Sequence, residues 1–179
     1  SLQSSGIERV IADKMGMLAT LMNGLALTDF MRQKGMDVEI YHSSSIDGVV
    51  EPYNRDLARA RLDAGEVVVL TGGTGNPFFT TDTAACLRAI ELDVEVVLKA
   101  TSVDGVYSAD PIKNKDAVRY ETLGISKLLE KELGVIDMTA AVLCKENNMP
   151  LQVVDSRTPG WMLKVIQGDP VGTIVHPHK

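Results

Sequence analysis

Apolar residues at Ile7, Ile11, Met15, Leu18, Met22 and Leu25 recur at intervals of four, four, three, four and three. This spacing lines one face of a long helix. Gly16 and Gly24 interrupt the face, and an interior glycine costs up to about 1 kcal/mol relative to alanine, so a break at Asp13 to Gly16, or close packing, is expected. The helix extends through Phe30 and stops by Gly35. Val38 to His42 then reads as a strand. Asn54 is placed to cap a helix through Leu62 that stops at Gly65, and Val67 to Leu70 is a second strand. Asp82 stands where a cap would for a helix from Thr83 to Leu92. The near-continuous apolar run of Val94 to Lys99 fits a buried parallel strand. Lys113 to Glu121 is polar and loop-like. Ser126 caps a short helix with Leu128 and Leu129 inward, and Thr139 to Glu146 forms another. Leu151 to Val154, Gly160 to Gln167 and Thr173 to Val175 complete a strand, a helix and a strand. Alternation of this kind predicts an α/β fold, a mostly parallel sheet with helices on both faces, and ligands beyond the carboxyl ends of the strands.

The 179 residues suit one domain. Eighteen basic and 24 acidic residues leave a net charge of −6, and the basic residues form no stripe. A nucleic-acid partner is therefore not expected, although backbone amides and one or two cations suffice for a nucleotide. Cys86 and Cys144 are the only cysteines, too few for a disulfide framework or a Cys-rich zinc site. They suit a reducing cytoplasm, with Cys86 as a small core residue. No uninterrupted apolar run approaches the ~20 residues of a membrane span, so a soluble, unexported protein without a membrane partner is expected.

The stretch T-G-G-T-G-N-P-F-F-T-T-D-T-A-A-C, Thr71 to Cys86, carries the chemistry. A glycine-rich turn between strand and helix lets backbone amides approach an anion, and the following helix N-terminus adds partial positive charge. Pro77 follows where a Walker A loop needs its glycine and lysine, and the run contains no lysine. Phe78 stands where a dinucleotide-binding G-x-G-x-x-G needs its third glycine. Neither common nucleotide loop fits.

Three segments together closely resemble the bacterial-type UMP kinase (uridylate kinase) family: Thr74 to Ala85, Ala12 to Thr20 (A-D-K-M-G-M-L-A-T) and Lys99 to Pro111 (K-A-T-S-V-D-G-V-Y-S-A-D-P). The resemblance extends from Gly6 to Val175. It implies the amino acid kinase fold, a three-layer α/β/α sandwich also seen in carbamate kinase, and transfer of the ATP γ-phosphate to UMP with Mg2+ bridging the ATP phosphates. Members of the family also carry a K-L-S-G strand and a G-G-G-N turn followed by an arginine, which grip the phosphates. These motifs are absent from the 179 residues. The expectation is a chain lacking its N-terminal segment and turning over negligibly alone.

The resemblance assigns Asp13 to the ribose hydroxyls of UMP, and a carboxylate can accept from two donors at once. It assigns Thr74, Gly75, Asn76, Pro77, Phe78, Phe79, Thr80 and Thr81 to the rest of UMP. Asn76 offers a donor and an acceptor to a uracil edge, one of the two phenylalanines walls the base, and Thr80 and Thr81 meet the phosphate. Asp82 is weighed equally as a helix cap and as an organiser of the cations around the transferred phosphoryl group. Lys99 is a second catalytic candidate, set against a lysine that snorkels from the sheet edge. Thr101, Tyr107 and Asp110 match ATP-binding positions, with Tyr107 against adenine and Asp110 accepting from base or ribose. Turn roles for Asp104 and Asp110 stay open.

The resemblance further implies a homohexamer activated by GTP and inhibited by UTP, acting in pyrimidine and CTP biosynthesis. Two alternatives share the fold. An acidic amino acid or carbamate kinase accounts for the ATP residues but not for Thr74 to Thr81, and a non-catalytic nucleotide-binding or metal-storage subunit would keep the scaffold without the catalytic lysine.

Overall fold

A computed structural model of the chain describes residues 6–178. The chain divides at residues 84 and 85 into two compact units. The first opens with α1 (Arg9–Gln33), followed by β1 (Val38–His42), β2 (Glu51–Pro52), α2 (Arg55–Asp63) and β3 (Val67–Thr71). Its sheet has the order β2-β1-β3 and is parallel throughout, with Val38 opposite Val67 and His42 opposite Thr71. Leu21, Ile40 and Val50 form its core, with Ile46 and Val69 packed against them.

The long helix is present, and its apolar stripe, a pattern that core and interface helices share, faces away from the core of this unit. Leu21, Gly24 and Thr28 are its buried residues, whereas Ile11, Met15, Leu18, Met22 and Leu25 are exposed. Gly24 gives the physical reason. A Cβ there would lie 2.4 Å from Thr71 Cγ2 and 3.2 Å from Ile40 Cδ1, so the missing side chain lets the helix settle onto the strands. The helix is continuous through Gly16, without the expected break. It is also long and apolar enough, by length and composition, to cross a membrane, which amends the sequence expectation.

Asn54 caps α2 as expected, its side chain accepting from the Asp56 and Leu57 N–H groups at 3.0 and 3.1 Å. Asp82 does not cap the next helix. α3 spans Thr81–Glu91, and the Thr80 hydroxyl accepts from the Thr83 N–H at 3.2 Å. Asp82 instead lies in the first turn, where a carboxylate complements the helix dipole.

The second unit contains β4 (Val97–Thr101), β5 (Thr122–Gly124), α4 (Ile125–Glu130), α5 (Met138–Glu146), β6 (Leu151–Asp155), α6 (Trp161–Ile166) and β7 (Thr173–His176). Gly124, not Ser126, is the N-cap position of α4, and Asp137 caps α5. The sheet order is β4-β6-β7-β5, with β6 and β7 antiparallel and the other two pairs parallel. Leu151, Val153, Val175, Ile125 and both cysteines are fully enclosed in its core.

The α/β class and the mostly parallel pairing follow the expectation. Among the described residues, however, the strands form two hydrogen-bonded sheets instead of one. Apolar runs identify strands individually and carry no information about which strands pair, so this difference was not readable. β2 and β5 have two and three residues, too short for a period of two to register.

Candidate functional site

The loop after β3 is held from below by a buried polar chain. The Thr71 hydroxyl donates to the Tyr41 carbonyl at 3.0 Å. Its single hydrogen is thereby used, so the 3.0 Å contact with His42 Nδ1 makes His42 the donor and fixes the Nδ1–H tautomer. Burial holds His42 below its ordinary value. Gly72 follows at φ +80°, and a Cβ there would lie 2.3 Å from Ser43 Oγ and 2.4 Å from His42 Cε1. Only glycine fits both the conformation and the space. The Gly72 N–H donates to Thr20 Oγ1 of α1 at 2.9 Å, and the Gly75 N–H closes a turn onto the Gly72 carbonyl at 3.0 Å.

Asp13, one turn into α1, reaches the same loop. Its Oδ2 accepts the Phe78 N–H at 2.8 Å, and both carboxylate oxygens lie 2.8 Å from Arg9 Nε. The Phe78 N–H bond, followed by the Arg9 contact, holds the Asp13 carboxyl below the usual carboxylate range. Phe78 has φ +74°, a sparsely populated conformation for a bulky residue. Its ring stands 5.6 Å from the Arg9 guanidinium, a cation–π distance. Phe78 and Phe79 are 65 % and 50 % exposed, so neither is a core residue. Asn76 is tied to its own loop: its N–H donates to Thr74 Oγ1 and its side-chain Nδ2 to the Thr74 carbonyl. Oδ1 remains the side-chain acceptor that these bonds do not use. Thr80 and Thr81 are exposed at the start of α3, where the helix dipole favours an anion.

Asp13 and Thr74 to Thr81 thus come together in the first unit. Arg9, Thr20 and His42 were not anticipated as part of this framework. Arg9 had a readable signal, its position four residues before Asp13 on a helix; the other two act through the fold. The first unit also has a cleft of about 530 Å3 bordered by Thr28, Arg32, Glu39 and Asp47, which contains none of the predicted site residues.

In the second unit, Lys99 and Thr101 lie two apart on β4, and both are half-buried. The Thr101 carbonyl accepts from the Ser156 N–H and hydroxyl. Tyr107 and Asp110 border a cleft of about 510 Å3 whose other walls include Val106, Leu133 and Gly134. The Tyr107 hydroxyl donates to Asp104 Oδ1 at 2.8 Å, and this bond raises its pKa. Asp110 carries a turn: Oδ1 accepts the Ile112 N–H at 2.9 Å, and Oδ2 lies 3.6 Å from Lys113 Nζ. Asp110 therefore has the structural role left open for it, and 44 % of its side chain stays exposed. Among the described residues no three His, Cys, Asp or Glu side chains gather as a metal site.

Residues 2–155 match the amino acid kinase family model. The uridylate kinase of Alcanivorax borkumensis is 51 % identical over 175 residues, covering 98 % of this chain and 69 % of the relative. That of Legionella pneumophila strain Paris is 53 % identical over 98 % of this chain and 71 % of its own length. Among solved structures, UMP kinase from Bacillus anthracis superimposes with a TM-score of 0.94 at 36 % identity, over 98 % of this chain and 72 % of that one. The uridylate kinase of Archaeoglobus fulgidus gives 0.73 at 30 % identity, over 97 % and 75 %.

Proposed function

The chain belongs to the amino acid kinase family, and from that premise we propose that it is a uridylate kinase, transferring the γ-phosphate of ATP to UMP to give ADP and UDP. One observation carries the choice of acceptor. The Asp13 carboxylate is bonded to the Phe78 N–H of a loop that runs directly into the N-terminus of α3. A nucleoside monophosphate needs a polar acceptor for its ribose and an anion site for its phosphate, and this loop joins the two. Relatives of about 50 % identity named uridylate kinases support the same reading, and the amino acid kinase, carbamate kinase and storage alternatives are not favoured.

Phosphoryl transfer needs donor and acceptor oxygens in line and charge neutralised on the transferred group, with little covalent work for the protein. Asp13 holds the ribose hydroxyls, Asn76 Oδ1 accepts from the uracil N–H, and Thr80 and Thr81 receive the UMP phosphate at the start of α3. Phe78, exposed beside Asp13, walls the base. On the donor side Tyr107 stacks against adenine in its cleft, with Thr101 and Asp110 accepting from the nucleotide. Lys99 supplies a cation to the phosphates, and Asp82 orients cations around the phosphoryl group. The described residues do not form a cage for Mg2+; bound with ATP, the ion would offset the phosphate charge, as suits this hard, strongly hydrated cation.

The exposed apolar stripe of α1, from Ile11 to Leu25, supports a homo-oligomer, which we take to be a hexamer activated by GTP and inhibited by UTP. A cytoplasmic role in pyrimidine and CTP biosynthesis completes the proposal. The test is ADP release from ATP by the full-length protein in the presence of UMP, CMP, glutamate or carbamate. UMP-dependent release supports the assignment, and release that depends on glutamate or carbamate instead of UMP overturns it.

A further inference from the structure

Cys86 and Cys144, 58 residues apart in sequence, have no part in the proposed transfer, yet their sulfurs lie 3.3 Å apart with both residues fully enclosed. Cys86 stands on α3 and Cys144 on α5, both within the second unit. A buried cysteine ordinarily packs as a small apolar residue with its own set of neighbours. Here the only two thiols of the chain face each other, and the Cys144 thiol donates to Cys86 Sγ. A disulfide has its sulfurs about 2.05 Å apart, so closure requires the two sulfurs to approach by little more than 1 Å in total.

We propose that Cys86 and Cys144 form a peroxide-sensitive dithiol, a modification site that closes to an intramolecular disulfide. The oxidant class is fixed by access. Both side chains are fully enclosed, so a molecule the size of hydrogen peroxide reaches them on a small local opening, while a bulky disulfide does not. One thiolate of the pair attacks a peroxide oxygen and breaks the O–O bond. The products are a sulfenic acid and hydroxide, and the hydroxide takes the proton the thiol released to become water. The second sulfur then displaces the sulfenic hydroxyl, which leaves with the second thiol proton as another water. Two thiols and one peroxide give one disulfide and two waters. The sulfurs lose two electrons and the peroxide oxygens gain them. Contact with Cys86 also draws the Cys144 thiol below its ordinary value, against the opposing push of burial, which favours the attacking thiolate.

Lys99, Thr101, Tyr107 and Asp110 all lie between the two cysteines in sequence, so closure loops the whole segment assigned to the donor nucleotide and ties α3 to α5. In a reducing compartment the pair stays open, and oxidant closes it, the usual behaviour of an intracellular redox-sensing pair.

The test treats the folded chain with stoichiometric and then excess hydrogen peroxide, alkylates remaining thiols in denaturant, and maps tryptic peptides without reduction. The expected product joins peptide 62–88 to peptide 132–145, is lighter by two hydrogens than the two thiol peptides together, and is separated by dithiothreitol. Full alkylation of both cysteines after peroxide treatment overturns the proposal. So does conversion to sulfinic or sulfonic acids, or to disulfides between chains, in place of the internal link.

Discussion

The carboxylate of Asp13 accepts the backbone N–H of Phe78 at 2.8 Å, across 65 residues of sequence. It ties the first turns of α1 to the proposed UMP loop. With Phe78 and Arg9 holding its pKa down, Asp13 is ionised throughout the neutral range. Asp13→Asn keeps the shape of the side chain but loses the charge that strengthens each bond it accepts. UMP affinity should fall roughly tenfold to a hundredfold, the range for one charged hydrogen bond. The melting temperature should fall only slightly, because the asparagine oxygen still accepts the Phe78 N–H and the Arg9 partner is exposed to solvent. Calorimetric titration with UMP, alongside a melting curve, checks both. Unchanged affinity would remove Asp13 from the pocket.

Phe78 separates backbone strain from ligand contact. At φ +74° a phenylalanine is disfavoured by roughly 1–3 kcal/mol, and its exposed ring contributes little packing. Phe78→Gly should leave thermal stability equal or higher while weakening UMP binding. A fall in both would mean that the ring supports the fold and does not wall the base.

Much of this region was legible in the residues, for reasons that differ by position. Asn54 and Gly72 occupy sites whose backbone demands those residue types, and the strands Val38–His42 and Leu151–Asp155 are apolar runs of ordinary length. Asp82 misled because a cap and a first-turn carboxylate look alike in sequence, and the Thr80 hydroxyl was one position better placed. The stripe from Ile11 to Leu25 suits a core or an interface equally, for a larger reason. Apolar spacing records that a face avoids water without recording what covers it, and the chain buries the face bearing Gly24 instead. The contact between Cys86 and Cys144, and the path from His42 through Thr71 to Tyr41, depend on how separate elements come together.

His42 gives the first unit a pH dependence. Burial lowers its pKa from the ordinary 6.5, so the unfolded chain takes up the proton more readily than the folded one. The stability contributed by neutral His42 is therefore fully present above pH 6.5 and is lost as the pH falls below it. Melting temperatures measured from about pH 8 to about pH 5 should decline across the histidine range, and His42→Gln should flatten that decline. An equal slope in the variant would assign the effect to other groups.

Tyr107 distinguishes stacking from hydrogen bonding on the donor side. Tyr107→Phe loses only the bond to Asp104 and should change ATP affinity less than about threefold, whereas Tyr107→Ala removes the ring and should weaken ATP by roughly tenfold or more. UMP affinity should be unchanged in both. If the alanine variant binds ATP normally, the cleft beside Tyr107 is not the adenine site.

Asp13 and residues 74–81 are assigned as the acceptor site for UMP. Isothermal titration of the chain with UMP, and separately with glutamate and carbamate, tests this assignment without depending on turnover. Saturable one-to-one binding of UMP, weakened in Asp13→Asn, is expected, with no heat from glutamate or carbamate. Binding of glutamate or carbamate with no response to UMP would contradict the assignment.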